Sequence, residues 1–147
     1  MLKRVGEPPR ADVRYRLRPG VYALLPLAGE LLLTHQQEPD HDFQLPGGGI
    51  DPGEHPIAAL HREVFEETGW RIGAPRRFGA FRRFTWMPEY DFWAEKICTV
   101  YIASPARPHG PPSEEGHTPL FLPPDDAIEV LANPGDRMMV RDWLTRR

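Results

Sequence analysis

The sequence predicts an α/β fold, a mixed β-sheet flanked by helices on both faces. Three observations lead there. Strand-like runs lie on either side of one amphipathic helical pattern at residues 56–68, two further helical patterns close the chain, and Gly/Pro clusters punctuate the segments. The 147 residues suit one domain, 1–147, with a short N-terminal extension over residues 1–12 and no internal repeat.

In chain order, residues 13–17 alternate around Arg14 and Arg16 as a short strand, which Arg18-Pro19-Gly20 breaks. Residues 20–27 and 30–35 read as a hairpin about the Ala28-Gly29 turn. Leu45-Pro46-Gly47-Gly48-Gly49 is a glycine-rich turn and Asp51-Pro52-Gly53 a second one. The central helix then starts at Pro56, suited to a first helical position, and stops at Gly69, the usual left-handed cap. Residues 77–85 and 92–103 are strand-like. Residues 104–118 form a Pro/Gly-rich loop, too irregular for a strand or long helix. Residues 120–122 make a last strand, and residues 124–131 and 136–144 are helices separated by Asn133-Pro134-Gly135.

Composition narrows the function classes. The net charge is −3 and no basic tract offers a duplex nucleic-acid surface. No apolar run approaches the length of a membrane span. Lys3 and Arg4 are not followed by the apolar stretch of a signal peptide, so the cytoplasm is the expected location. A single cysteine, Cys98, excludes an intrachain disulfide and reads as a buried, inert thiol in a core strand.

The central helix carries the chemistry. Ile57, Leu60, Val64 and Thr68 share one side, and Glu63, Glu66 and Glu67, spaced i, i+3, i+4, form a compact patch on roughly the opposite side. Ala59 lies one turn before Glu63 on the carboxylate side, where its small size leaves room. Three neighbouring carboxylates repel one another, by a few tenths of a kcal/mol per pair at a surface and by more when desolvated. A divalent cation reverses that sign, and hard carboxylate oxygens suit Mg²⁺ or Mn²⁺. The patch is either a solvated acidic face or a metal site. Arg62 pairs with Glu66 at i+4 on either reading.

The run from Gly48 to Trp70, GGIDPGEHPIAALHREVFEETGW, resembles the Nudix box, G-x5-E-x7-R-E-U-x-E-E-x-G-U with U a bulky apolar residue. No fixed position is missing, and seven specified residues coincide by chance on the order of once in a hundred million windows. The resemblance implies a Nudix-type α/β/α sandwich. It also implies hydrolysis of a nucleoside diphosphate-linked substrate, with water attacking a phosphorus of the pyrophosphate bridge and one to three Mg²⁺ or Mn²⁺ ions assisting. Carried over by position, Glu63, Glu66 and Glu67 would be metal ligands, Glu54 would lie close by or ligate the metal through water, and the Gly47 carbonyl would ligate. Arg62 would orient the glutamates, and Glu63 or Glu66 would be the general base. In some family members a loop glutamate joins the metal site. Of Glu114 and Glu115, the dipeptide Glu115-Gly116 is the better positional match.

Substrate-binding candidates lie further along. Trp86, Tyr90, Phe92 and Trp93 cluster in the connection between two strands and could stack on a base or simply pack. Among the arginines at positions 71, 76, 77, 82 and 83, Arg82 is a candidate for phosphate. The signatures of coenzyme A, NADH and ADP-ribose hydrolases are absent or offset. A small-molecule nucleotide pyrophosphate, of the nucleoside triphosphate or dinucleoside polyphosphate type, is the expected partner of a monomer or homodimer. A non-catalytic nucleotide-binding module is the alternative. An isomerase of isopentenyl diphosphate type is disfavoured by the lone Cys98.

Overall fold

A computed structural model describes residues 2–38 and 40–146. Its longest strands, β7 (Trp70–Met87) and β8 (Phe92–Pro108), pair antiparallel across a tight turn in which Asp91 takes a φ of 56°. β8 continues in parallel register beside β2 (Arg16–Leu24), whose other edge meets β6 (Gly47–Gly49) antiparallel. With β1 (Lys3–Arg4) on the far edge, the order is β1-β7-β8-β2-β6. A second sheet is built on β4 (Glu30–Gln36), which pairs with β3 (Pro26–Leu27), β5 (Asp42–Gln44) and β9 (His117–Leu122).

Helices cover both faces. α1 (Pro56–Thr68) packs on one side, α2 (Pro124–Val130) and α3 (Pro134–Thr145) on the other. The period of two along β2 explains how one strand serves both layers. Val21, Ala23 and Leu25 face Leu60 and Val64 of α1, whereas Leu24 joins Leu131, Met139 and Val140 beyond the sheet. Leu31, Leu32 and Leu33 of β4 alternate in the same way. Such a run of leucines, buried on both faces, is what a central strand requires. Burying each of these side chains contributes roughly 1.5–3 kcal/mol.

The α/β sandwich and the central helix agree with the sequence reading, and several local readings need correction. The predicted strand at 13–17 starts at Arg16 and is not broken at Pro19-Gly20. The Pro19 carbonyl accepts from the Ile50 N–H at 3.1 Å, and Gly20 lets Gly48 approach closely. The hairpin turn at Ala28-Gly29 is present, but the pairing across it is short, Pro26–Leu27 and the bond from the Leu32 N–H to the Leu25 carbonyl, because β2 belongs to the other sheet. Gly47–Gly49 is a strand rather than a turn, and β5 was not foreseen. The loop read at 104–118 shrinks to residues 109–116, since β8 runs through the prolines to Pro108 and β9 begins at His117. Prolines within β7 and β8 are accommodated by register shifts, one of them beside Pro75. Ala59 does not border the carboxylates; it is fully buried against the sheet with Leu60 and Val64.

Candidate active site

α1 presents the site because both its ends are fixed. At the N-terminus the His55 Nδ1 accepts from the Ile57 N–H at 3.1 Å, with Pro56 in the first turn. At the C-terminus Gly69 adopts φ 75° and donates its N–H to the Phe65 carbonyl at 2.9 Å. Leu60, Val64 and Thr68 are buried, which turns Glu63 and Glu66 towards solvent-accessible space.

Arg62 organises that space. Its guanidinium grips Glu54 with two nitrogens, at 2.8 Å from Nε to Oε2 and 2.9 Å from Nη2 to Oε1. Nη1 donates to Glu63 Oε1 at 2.9 Å and, more weakly, to Glu66 Oε2 at 3.4 Å. Nη2 also reaches the Gly49 carbonyl at 3.2 Å. The expected i, i+4 contact with Glu66 is thus the longest of the set. Hydrogen bonds from Arg62 and from the Asp51 N–H hold the Glu54 carboxyl down to about 2. Both Glu54 oxygens are engaged, so the structure makes Glu54 the anchor of Arg62 and leaves it out of the carboxylate groups described next.

The three helix glutamates do not share one environment. Glu67 is buried, and its Oε1 accepts from the Gly47 N–H at 3.0 Å. Burial pushes its pKa well above the ordinary range, partly offset by that bond. Burial also raises Glu63, against the opposing effect of Arg62. Gly48 makes room for the Glu63 carboxylate, since a Cβ there would lie 2.6 Å from it. Two constellations result, Glu63–Glu66–Glu114 and Glu67–Glu114–His117, each with one ligand atom per residue within 4.8 Å of the others. The loop glutamate in both is Glu114 and not Glu115, because the Glu114 N–H donates to the Glu66 carbonyl at 2.9 Å and anchors the loop there. The donor set is hard oxygen with one nitrogen, and it fits a divalent ion.

Glu63, Glu67 and Gly47 line a cavity of about 550 Å³, together with Tyr22 and Lys96 of the sheet. Its inner end is polar. Asp136 is buried, accepts from the Leu45 N–H at 3.2 Å, and is raised by burial to about 6. Burial raises Tyr22 to about 12, and Tyr22 in turn raises its neighbour Lys96. Gln44 and Asn133 complete this end, and Tyr90 stands at the rim with Arg18 over its ring at 4.8 Å. Neither Gln44, Asp136 nor Lys96 was legible as a site residue; strand and helix patterns assign them no partner.

The other substrate candidates divide. Tyr90 lines the cavity. Arg82 does not; it pairs with Glu95 at 3.1 Å, and its neighbour Arg83 lines the cavity instead, because successive strand residues face opposite ways. Trp86 lies in β7 and packs edge-on against Trp93 in a separate cavity of about 570 Å³. Cys98 is buried, and its thiol is pushed up to about 11, as an inert core cysteine requires.

A sequence model described as NUDIX domain matches residues 14–143. The chain is 31% identical over 126 residues to an 8-oxo-(d)GTP phosphatase of Mycolicibacterium smegmatis (strain ATCC 700084 / mc(2)155), covering 82% of this chain and 35% of that protein. It is 41% identical over 59 residues to an RNA pyrophosphohydrolase of Helicobacter pylori (strain ATCC 700392 / 26695), covering 37% of this chain and 38% of that protein. The chain therefore spans little more than a third of the length of these curated relatives. Among solved structures, a NUDIX hydrolase from Nitrosomonas europaea superposes with a TM-score of 0.69 at 18% identity, covering 88% of this chain and 90% of that one. A MutT protein from Methanosarcina mazei Go1 gives 0.67 at 19% identity, covering 92% and 98%. At these identities the superpositions establish a shared fold.

Proposed function

The chain belongs to the Nudix family, and we propose on that premise that it cleaves a pyrophosphate bond in a nucleoside triphosphate by attack of water at phosphorus. The observation that carries this reading is the Arg62-ordered carboxylate cluster opening into a nucleotide-sized cavity. Glu66, Glu67 and Glu114 would hold Mg²⁺ or Mn²⁺, with Glu63 next to them. When bound, such ions neutralise charge on phosphate oxygens and lower the pKa of water.

The chain's own groups do the rest. Arg62 fixes one oxygen of Glu63, and the other is free to accept the proton of the attacking water. A carboxylate whose pKa is raised by burial is better matched to that task than a solvated one. At the far end of the cavity, Gln44, Asn133 and Asp136 supply donors and acceptors for the edge of a base, and Tyr90 a flat surface at the rim. Arg18 and Arg83 are placed along the wall, where a guanidinium suits phosphate oxygens.

The nucleoside triphosphate class is favoured over an RNA 5′ end for one reason. The relative named 8-oxo-(d)GTP phosphatase matches across 82% of this chain, whereas the RNA pyrophosphohydrolase match covers 37%. The test is a panel of nucleoside triphosphates, oxidised nucleoside triphosphates, dinucleoside polyphosphates and 5′-triphosphorylated RNA, assayed with Mg²⁺ and Mn²⁺ and with products identified. Release of a nucleoside monophosphate and pyrophosphate is expected. Tight binding without turnover across the panel would instead leave a nucleotide-binding module.

A further inference from the structure

His117 opens β9, and its side chain is only 5% exposed. Nδ1 lies 3.1 Å from Thr34 Oγ1 and 3.9 Å from Glu67 Oε2, and Nε2 lies 3.7 Å from Glu114 Oε1. The two carboxylate separations are too long for hydrogen bonds. Among the described residues, Nε2 therefore makes no hydrogen bond, although the ring is buried and lines the same cavity as Glu63 and Glu67. Ligand atoms around an ion with bonds of roughly 2.1 Å lie about 3–4 Å apart. For Nε2 as the ligand, the 3.7 Å to Glu114 Oε1 falls in that range, and one ligand atom each of Glu67, Glu114 and His117 lie within 4.8 Å of one another, a spacing that fits an ion between them better than direct pairing.

Two features hold the ring in place without help from the Glu114 carboxylate. Thr34 is completely buried in the middle of β4, between Gln44 of β5 and Pro119 of β9, and gives Nδ1 a fixed oxygen partner. The loop is tied down by its own backbone, with the Glu114 N–H on the Glu66 carbonyl and the Gly116 carbonyl accepting from Gln37 at 2.8 Å. When Nδ1–H donates to Thr34, the lone pair of Nε2 faces Glu114. A ring nitrogen so braced by an oxygen is how ligating histidines are oriented.

We infer that His117 is a nitrogen ligand to one divalent ion of this site, together with Glu67 and Glu114, and that it biases that position towards first-row transition ions over Mg²⁺. Imidazole suits transition ions, whereas Mg²⁺ prefers an all-oxygen shell. The inference rests on the reading that the helix carboxylates hold divalent ions at all.

The experiment uses the whole chain stripped of metal and titrated with Mn²⁺, alone and in competition with Mg²⁺, and followed by electron paramagnetic resonance. Binding is read from the loss of the free-ion signal, and nitrogen ligation from ¹⁴N modulation in the pulsed spectrum. The wild type should bind Mn²⁺ and give imidazole modulation. His117→Gln, which can still bond to Thr34, should lose the modulation and lower the Mn²⁺-over-Mg²⁺ preference about tenfold. Bound Mn²⁺ without ¹⁴N modulation, or modulation that survives in His117→Gln, overturns the inference and leaves the proposed hydrolase standing. No Mn²⁺ binding at all overturns both. If His117→Gln does not fold, His117→Asn is read in the same way, and a wild-type spectrum without ¹⁴N modulation overturns the inference by itself.

Discussion

Glu54 and Arg62 form a two-point pair, Oε2 to Nε at 2.8 Å and Oε1 to Nη2 at 2.9 Å, at the mouth of the site. The pair fixes the plane of the guanidinium, and the same guanidinium holds Glu63. Glu54→Gln keeps the size but replaces one acceptor oxygen with an NH₂ facing a donor. We expect turnover to fall by about 10–100-fold, with little change in the thermal midpoint, since much of α1's packing lies on its buried side. Arg62→Lys should be at least as damaging, because an ammonium cannot make the fork. Steady-state kinetics and a melting curve on each variant check this; unchanged kcat in both would remove the positioning role.

How much of this was readable beforehand depends on how local each feature is. Glu63, Glu66 and Glu67 are brought together by helix geometry alone, so their spacing is visible in the sequence. Their difference in burial is not, since it depends on Gly47 arriving from β6 to bond Glu67. Glu114 and His117 come from distant chain, and only the bond from Glu114 to the Glu66 carbonyl selects Glu114 over Glu115. Pro19-Gly20 misled because a proline normally ends a strand; here β6 and β8 pair on either side of it and carry β2 through. Arg82 and Arg83 are equivalent in composition, and strand parity alone decides which faces the cavity.

The adjacent glycines 47 and 48 should fail in different ways. Gly47 sits at φ 152°, and a Cβ there would be 2.1 Å from the Val21 carbonyl, a backbone atom that cannot move aside. Gly47→Ala should therefore destabilise the fold by several kcal/mol, on the order of the larger core mutations. At Gly48 the clash is with the Glu63 carboxylate, a side-chain end that can rotate away. Gly48→Ala should stay folded and lose activity by about 100-fold or more. Urea denaturation together with kinetics distinguishes the two; a Gly48→Ala enzyme of normal activity would show that the position of Glu63 does not matter.

Glu67→Gln should trade function for stability. The glutamine oxygen can still accept from Gly47, while the buried charge and its repulsion from Glu63 and Glu114 disappear. In EDTA the variant should melt higher than wild type, by a few degrees. With Mg²⁺ present it should be inactive, and it should gain less from added metal than the wild type does. Differential scanning calorimetry with and without metal reads both effects. A variant that melts lower in EDTA would mean the ionised carboxylate is held favourably by groups other than Gly47.

Asp136 gives a pH dependence whose sign is fixed by its burial. Its pKa rises from the ordinary 3.8 to about 6 in the folded protein. Between those values the folded state binds the proton more than the unfolded chain does, so stability falls as pH rises. The contribution is complete below about pH 4 and lost once pH passes about 6, and it amounts to an order of 3 kcal/mol. Other carboxylates titrate in the same window, so the quantity to measure is a difference. Asp136→Asn retains an acceptor for the Leu45 N–H and has no charge to bury. Urea denaturation in EDTA from pH 4 to 7 should show the variant gaining on the wild type as pH rises, and most steeply below pH 6. Parallel curves would mean that the Leu45 N–H, Lys96, Arg83 and Arg137, which favour the ionised form, cancel the desolvation of Asp136.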